Sequence, residues 1–203
     1  MIVRPVVWYC SLANFINAAD RVVMPLQIIQ MTAEYGWTLD HQGWVHSAFS
    51  IGYLSCQIFG ARAARRFGGK RTLAIAVFLW SLSTFLTPMI ASTLPLLVLC
   101  RIALGMGEGI GLPAIFHIFS KTISNEENSR AVSYMVAFGS VGHTVATLIC
   151  PHLPWRLSFY GLGTLGFLWV LLWAKFYNDP AASVSDLSSP DVDIFRLVRR
   201  LSM

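Results

Sequence analysis

The sequence predicts an all-α membrane protein of six transmembrane helices, and three observations predict it. Hydrophobic residues make up 55% of the chain and charged residues only 12%, against about 25% charged in a soluble domain. Mean hydropathy is +0.59. Six apolar stretches are each long enough to cross about 30 Å of hydrocarbon, and the cations gather in short connections beside them. A net charge of +5 distributed in that way is a membrane-topology signal. The expected surroundings are therefore a lipid bilayer, and no nucleic-acid partner is expected.

The stretches run Val6–Met31, Gly43–Ala61, Leu73–Ile90, Leu94–Ser120, Val132–Cys150 and Leu157–Phe176. The first exceeds the apolar core of a signal peptide and lacks a cleavage site, so it reads as a retained helix. Pro25 within it, and Pro113 in the fourth, each remove a backbone hydrogen bond and are expected to kink their helices. The third, fifth and sixth are uncharged over most of their length, with Lys175 near the end of the last. Gly105, Gly107, Gly109 and Gly111 give the fourth two overlapping faces for close helix approach. Residues 1–178 thus form the bundle. Residues 179–203 read as a cytoplasmic linker, since Asn178–Ser189 is rich in Asp, Ser and Pro.

Lys and Arg positions set the orientation. Arg62, Arg65, Arg66, Lys70 and Arg71 fill the connection between helices 2 and 3, and Lys121 and Arg130 flank that between helices 4 and 5. Arg4 precedes helix 1, and Arg196, Arg199 and Arg200 follow helix 6. The opposite connections hold Glu34 and Asp40, the uncharged Ala91–Thr93 turn, and Arg156. The positive-inside rule then places both termini on the cytoplasmic side.

Against that apolar background, helix 4 carries Arg101 and Glu108, seven residues apart and so on one face, about 10 Å from each other. A charge at the bilayer centre costs roughly 2.5–3.5 kcal/mol, so such residues face a polar pathway or a partner. An internal ion pair that only joins helices is the alternative. Asp20 and Arg21 charge helix 1. Helices 1 and 4 are the first members of two consecutive three-helix sets, the arrangement of an inverted three-plus-three repeat. His46 in helix 2 adds a titratable group at membrane depth, either a pH sensor or proton relay or a hydrogen-bonded core or interfacial histidine.

Other chemistry finds little support. Cys10, Cys56, Cys100 and Cys150 lie in or beside apolar spans without CxxC spacing and read as small buried hydrophobes. His41 and His46 are poorly spaced for two ligands on one helical face. Gly161-x-Gly163-x-x-Gly166 matches a dinucleotide pattern but lies in an apolar helix with no preceding strand, and helix packing explains it better. No metal, no cofactor and no enzymatic activity are expected.

These residues resemble the solute carrier 17 family, anion transporters of the major facilitator superfamily. Arg101-x3-Gly105-x2-Glu108-Gly109-x3-Pro113 is similar to the family's helix 4 pattern. Ser120-Lys121 followed by Glu127-Asn128-Ser129-Arg130 resembles the loop after it. Trp155-x3-Phe159-Tyr160-x2-Gly163-x2-Gly166-x2-Trp169 resembles the helix 6 signature. Arg66-Phe67-Gly68-Gly69-Lys70-Arg71 resembles the superfamily's loop between helices 2 and 3.

The resemblance implies a secondary active anion transporter, proton- or sodium-coupled or potential-driven, working by alternating access. It places Arg21 and Arg101 at the substrate, Glu108 and His46 in coupling to H+ or Na+, and Arg66, Gly68, Gly69, Lys70 and Arg71 in a cytoplasmic gating loop; Asp20, the acid beside Arg21, is a further coupling candidate. Two departures stand out. Arg65 occupies the place of the loop's usual aspartate, which leaves the usual gate network without its acid. Phe116, not His117, matches a helix 4 histidine of some members, so His117 receives no ligand role. The resemblance covers helices 1 to 6 and implies an amino-terminal half whose partner is a carboxyl-terminal six-helix half. A non-transporting half that acts as a regulatory or interaction subunit is the other expectation. Phosphate, glutamate, a nucleotide and a sugar acid all remain open as substrate.

Overall fold

The computed structural model describes residues 5–176. The termini that carry Arg4, Arg196, Arg199 and Arg200, and the linker expected over 179–203, lie outside the described residues. Six α-helices follow in order: α1 (Pro5–Tyr35), α2 (Leu39–Phe67), α3 (Gly69–Ile90), α4 (Leu94–Thr122), α5 (Asn125–Ile149) and α6 (Trp155–Phe176). A 3-10 turn at Cys150–His152 joins the last two. Four helices are long and apolar enough by length and composition to cross a membrane: α3, α4, α5 with its 3-10 turn, and α6. α1 and α2 have the length, but polar residues such as Asn14, Asn17, Asp20 and Arg21, or His46, Ser50 and Gln57, dilute their apolarity.

The helices outrun the apolar stretches, which corrects the expected connections. Arg62, Arg65 and Arg66 belong to the last turns of α2, and Lys70 and Arg71 to the first turn of α3. Gly68 alone joins the two helices, at φ 86°, a left-handed value suited to glycine. Arg130 likewise lies within α5, whose first turn carries Glu126 and Glu127 against the positive helix end. At the start of α2, Thr38 Oγ1 accepts from the His41 backbone N–H and His41 Nδ1 accepts from the Thr38 N–H, each at 3.4 Å. His41 is therefore a capping residue. Pro25 and Pro113 both sit inside continuous helices.

Packing follows an inverted repeat. α1 packs on α5 as α4 packs on α2, α1 on α6 as α4 on α3, and α3 meets α6. Exchanging α1 with α4, α2 with α5 and α3 with α6 maps this set of contacts onto itself. Glycines set the close approaches. A methyl at Gly105 would fall on the Phe49 carbonyl oxygen of α2, and one at Gly107 would lie 3.0 Å from the Ala76 carbonyl oxygen of α3. Each overlapping face of α4 thus serves a different neighbour. Gly163 and Gly166 bring α6 against Phe85 and Ser81 of α3. Cys10, Cys56 and Cys150 are buried in this packing, and all four cysteines are free thiols.

Hydrogen bonds place the helix ends. Trp169 Nε1 donates to the Tyr9 carbonyl and Trp173 Nε1 to the Lys70 carbonyl, each at 3.0 Å, which gathers the starts of α1 and α3 at the end of α6. Gly69 lies against Ile118 near the end of α4, so the cation-rich connections share one end of the bundle. At the other end Glu34 accepts from Trp155 Nε1 at 2.8 Å and from Arg156 Nη1 at 2.9 Å. Gln27 Nε2 donates to the Cys150 carbonyl at 2.5 Å, and Gln30 Oε1 accepts from the Trp155 backbone N–H at 3.1 Å.

Candidate functional site: a charged pocket between α1, α2 and α4

The apolar core has two parts. One includes Ile16, Leu73, Trp80, Leu104 and Phe119; the other includes Ala19, Met24, Met31, Leu97 and Phe159. They meet at the level of residues 16–19 of α1 and 97–104 of α4. Asp20, Arg21 and Arg101 sit at that junction, Asp20 and Arg21 midway along α1 and Arg101 in the third turn of α4.

Asp20, Arg21, His46 and Arg101 line one small cavity of about 30 Å³, walled also by Pro25 and Phe49. α1 contributes Asp20 and Arg21 to this lining and α4 contributes Arg101, while the acid of α4, Glu108, lies outside it. Arg21 Nε donates to Glu108 Oε2 at 2.8 Å, and the Glu108 side chain is fully buried. The other two, Asp20 and Arg101, are buried at 1% and 2% exposure and both line the pocket. No hydrogen bond joins them. Both Asp20 carboxylate oxygens, Arg101 Nε and Nη2, Glu108 Oε1 and Arg21 Nη2 are buried without a protein hydrogen-bond partner.

That arrangement is costly for stability alone. A buried polar atom left unsatisfied costs about 1–3 kcal/mol, more when charged. Buried pairs of charge are often replaceable by apolar residues at no loss of stability. A set with several free donors and acceptors, gathered on a cavity, is therefore poorly suited to act as helix glue and well suited to receive a charged ligand. Arg101 carries the free donors of a planar fork, the geometry that recognises carboxylate and phosphate.

The structure brings together the expected Arg21, Arg101, Asp20 and His46, and links Glu108 to them through Arg21. His46 lies on the exposed rim rather than in the core. The α2–α3 residues Arg66, Gly68, Gly69, Lys70 and Arg71 line no part of this pocket. They form the separate turn at the cation-rich end, where the Arg66 guanidinium lies 5.5 Å from the centroid of the Phe67 ring.

Sequence reasoning missed two aromatic supports. The Arg21 guanidinium lies 4.6 Å from the Tyr53 ring centroid, and that of Arg101 lies 5.4 Å from that of Phe159. Such contacts orient a cation without neutralising it. Tyr53 follows His46 by seven residues and shares its face of α2, a spacing that could have marked it. Phe159 comes from α6, and no local pattern connects it to helix 4.

Residues 10–200 match the profile of the Major Facilitator Superfamily. The chain belongs to that superfamily. Among its curated relatives, a "Probable anion transporter 3, chloroplastic" of Oryza sativa subsp. japonica is 37% identical over 188 residues, 90% of this chain and 36% of that protein. An "Ascorbate transporter, chloroplastic" of Arabidopsis thaliana is 36% identical over 92% of this chain and 35% of its own length. A "Sodium-dependent phosphate transport protein 1, chloroplastic" of the same plant is 38% identical over 83% and 34%. The chain spans about a third of the length of these relatives. Their names are those of transporters, not enzymes.

Among solved structures, the proton:xylose symporter XylE bound to 6-bromo-6-deoxy-D-glucose superposes with a TM-score of 0.73 at 16% identity. The match covers 86% of this chain and 45% of that one, and it shows a shared fold. The superfamily and the apolar helices together make this a multi-pass integral membrane protein.

Proposed function

We propose that this chain forms the amino-terminal bundle of a secondary active anion transporter, completed by a second six-helix bundle. The observation that carries the reading is the charged pocket between α1, α2 and α4, where buried Arg101 keeps unpartnered donors beside Arg21, Asp20 and His46. Arg21 and Arg101 attract the anion in a medium where charge is weakly screened. The relatives' names, which include phosphate and ascorbate, support a small anion.

In this mechanism Glu108 holds Arg21 while the site is empty. Anion binding draws Arg21 away, and Glu108 then takes up a cation, H+ or Na+, with Asp20 and His46 as the adjoining titratable groups. Rocking of one bundle against the other alternates access to the site. The α2–α3 turn, Arg66 through Arg71, gates the cytoplasmic side, on which both termini lie. The chloroplastic relatives favour a plastid membrane, with the stroma as the equivalent side.

Proteoliposomes holding both bundles should accumulate labelled phosphate or ascorbate above protein-free vesicles. Failure with every small anion tried, in correctly inserted protein, contradicts the reading. Glu108→Gln should flatten the pH dependence of uptake, and an unaltered pH profile would remove Glu108 from coupling.

A further inference from the structure

A second, smaller cavity lies close to the Arg21–Glu108 bond. Asn14 and Asn17 of α1, Trp80 of α3 and Gly111 of α4 are among its walls, and every wall comes from these three helices. Its volume is about 10 Å³, room for one water. Helical spacing ties it to Glu108. Asn17 precedes Arg21 by four residues and shares its face of α1, and it lies beside Glu108. Gly111 follows Glu108 by three residues on α4.

Two buried atoms here have no hydrogen-bond partner among the described residues: Trp80 Nε1 and Glu108 Oε1. Trp80 is 1% exposed. Its ring is packed on α4, where a methyl at Gly111 would stand 3.0 Å from Cζ3. An indole N–H only donates and an ionised carboxylate only accepts. Joining them takes groups that do both, and an amide and a water are such groups. A second acceptor is at hand, because Asn14 Nδ2 donates to the Met135 carbonyl at 2.9 Å and leaves Asn14 Oδ1 free to accept. A cavity with several polar walls holds water, whereas one that stays empty is apolar.

We propose that this cavity holds a structural water, and that the water and Asn17 bridge Trp80 to Glu108. The water accepts from Trp80 Nε1 and donates to Asn17 Oδ1 and Asn14 Oδ1, three bonds in all, about the usual number for a buried water. Asn17 Nδ2 donates to Glu108 Oε1, while Arg21 holds Oε2. Every link donates toward the carboxylate, so the bridge favours its charged form and fixes its place. Its role in coupling rests on the transport reading above: Glu108 keeps a partner when the anion draws Arg21 away. Trp80 and Asn17 are then positioning residues. The charged groups that face Glu108 are Arg21 and Asp20 of α1 and Arg101 of its own helix. α2 brings His46 to the neighbouring charged pocket, and α3 presents the neutral Trp80 to this cavity.

The water is tested without transport, by nuclear magnetic resonance of the purified chain in detergent with isotope-labelled tryptophan. The Trp80 indole signal is the one lost in Trp80→Phe. In the unaltered chain it should show a cross-peak to a long-lived water. Asn17→Leu, which removes the amide and fills the space, should abolish that cross-peak. Its absence from the unaltered chain, or its persistence in Asn17→Leu, overturns the bridge. In proteoliposomes holding both bundles, Trp80→Phe keeps an aromatic ring and removes the donor. It should move the pH profile of anion uptake upward by about one unit, because the charged carboxylate loses support. An unmoved profile overturns the positioning role. Absence of uptake by the unaltered protein contradicts the transport reading, and the cross-peak still decides the bridge.

Discussion

Glu108 bonds Arg21 across the bundle and leaves Arg101, two turns away on its own helix, without a hydrogen-bonded carboxylate. The sequence could announce that helix 4 carried a base and an acid on one face, since that follows from a spacing of seven. It could not announce which residue each would meet, because the answer depends on how α1 and α4 cross. The cross-pairing predicts an asymmetry in stability. Arg21→Ala should destabilise the bundle by about 3–5 kcal/mol, because it strands a buried carboxylate. Replacing both partners, Arg21→Met with Glu108→Leu, should cost much less. Thermal unfolding in detergent measures this, and a double variant as unstable as the single one would show that the pair's attraction itself holds the helices.

Among the elements, glycine spacing proved as informative as hydropathy. Gly105 and Gly107, two residues apart, face different neighbours, α2 and α3. That division was legible in the two overlapping small-residue patterns of α4. The helix ends were not legible. α2 continues through Arg62, Arg65 and Arg66 because a helix can outrun the apolar span once its side chains reach water or headgroups. The Gly161-x-Gly163-x-x-Gly166 run gives a sharp prediction at this scale. A methyl at Gly161 meets nothing within 4 Å, whereas one at Gly163 would meet the Phe85 side chain and backbone at 2.7 and 2.9 Å. Gly161→Ala should leave the melting point unchanged, and Gly163→Ala should lower stability by about 1–3 kcal/mol. Equal effects would mean that α6 does not pack on α3 through this run.

For the whole molecule, the inverted repeat in the charges of α1 and α4 was readable before any contact was known, and the helix pairing bears the same symmetry. The Glu34 cluster with Trp155 and Arg156 was not readable: it joins residues more than 120 positions apart at the end opposite the cationic turn. The two ends make orientation testable. In a background with Cys10, Cys56, Cys100 and Cys150 replaced, single Asp40→Cys and Arg130→Cys variants should react with an impermeant thiol reagent from opposite sides of a sealed vesicle. Labelling from the same side would contradict the six-helix topology.

Arg101 Nε and Nη2, buried and unpartnered, are the donors on which anion binding depends. The direct measurement is anion uptake by proteoliposomes with Arg101→Ala beside the unaltered protein, both inserted in equal amount. Loss of phosphate or ascorbate accumulation, with insertion and helical content intact, is the predicted result. Uptake at the unaltered rate would show that Arg101 does not handle the anion.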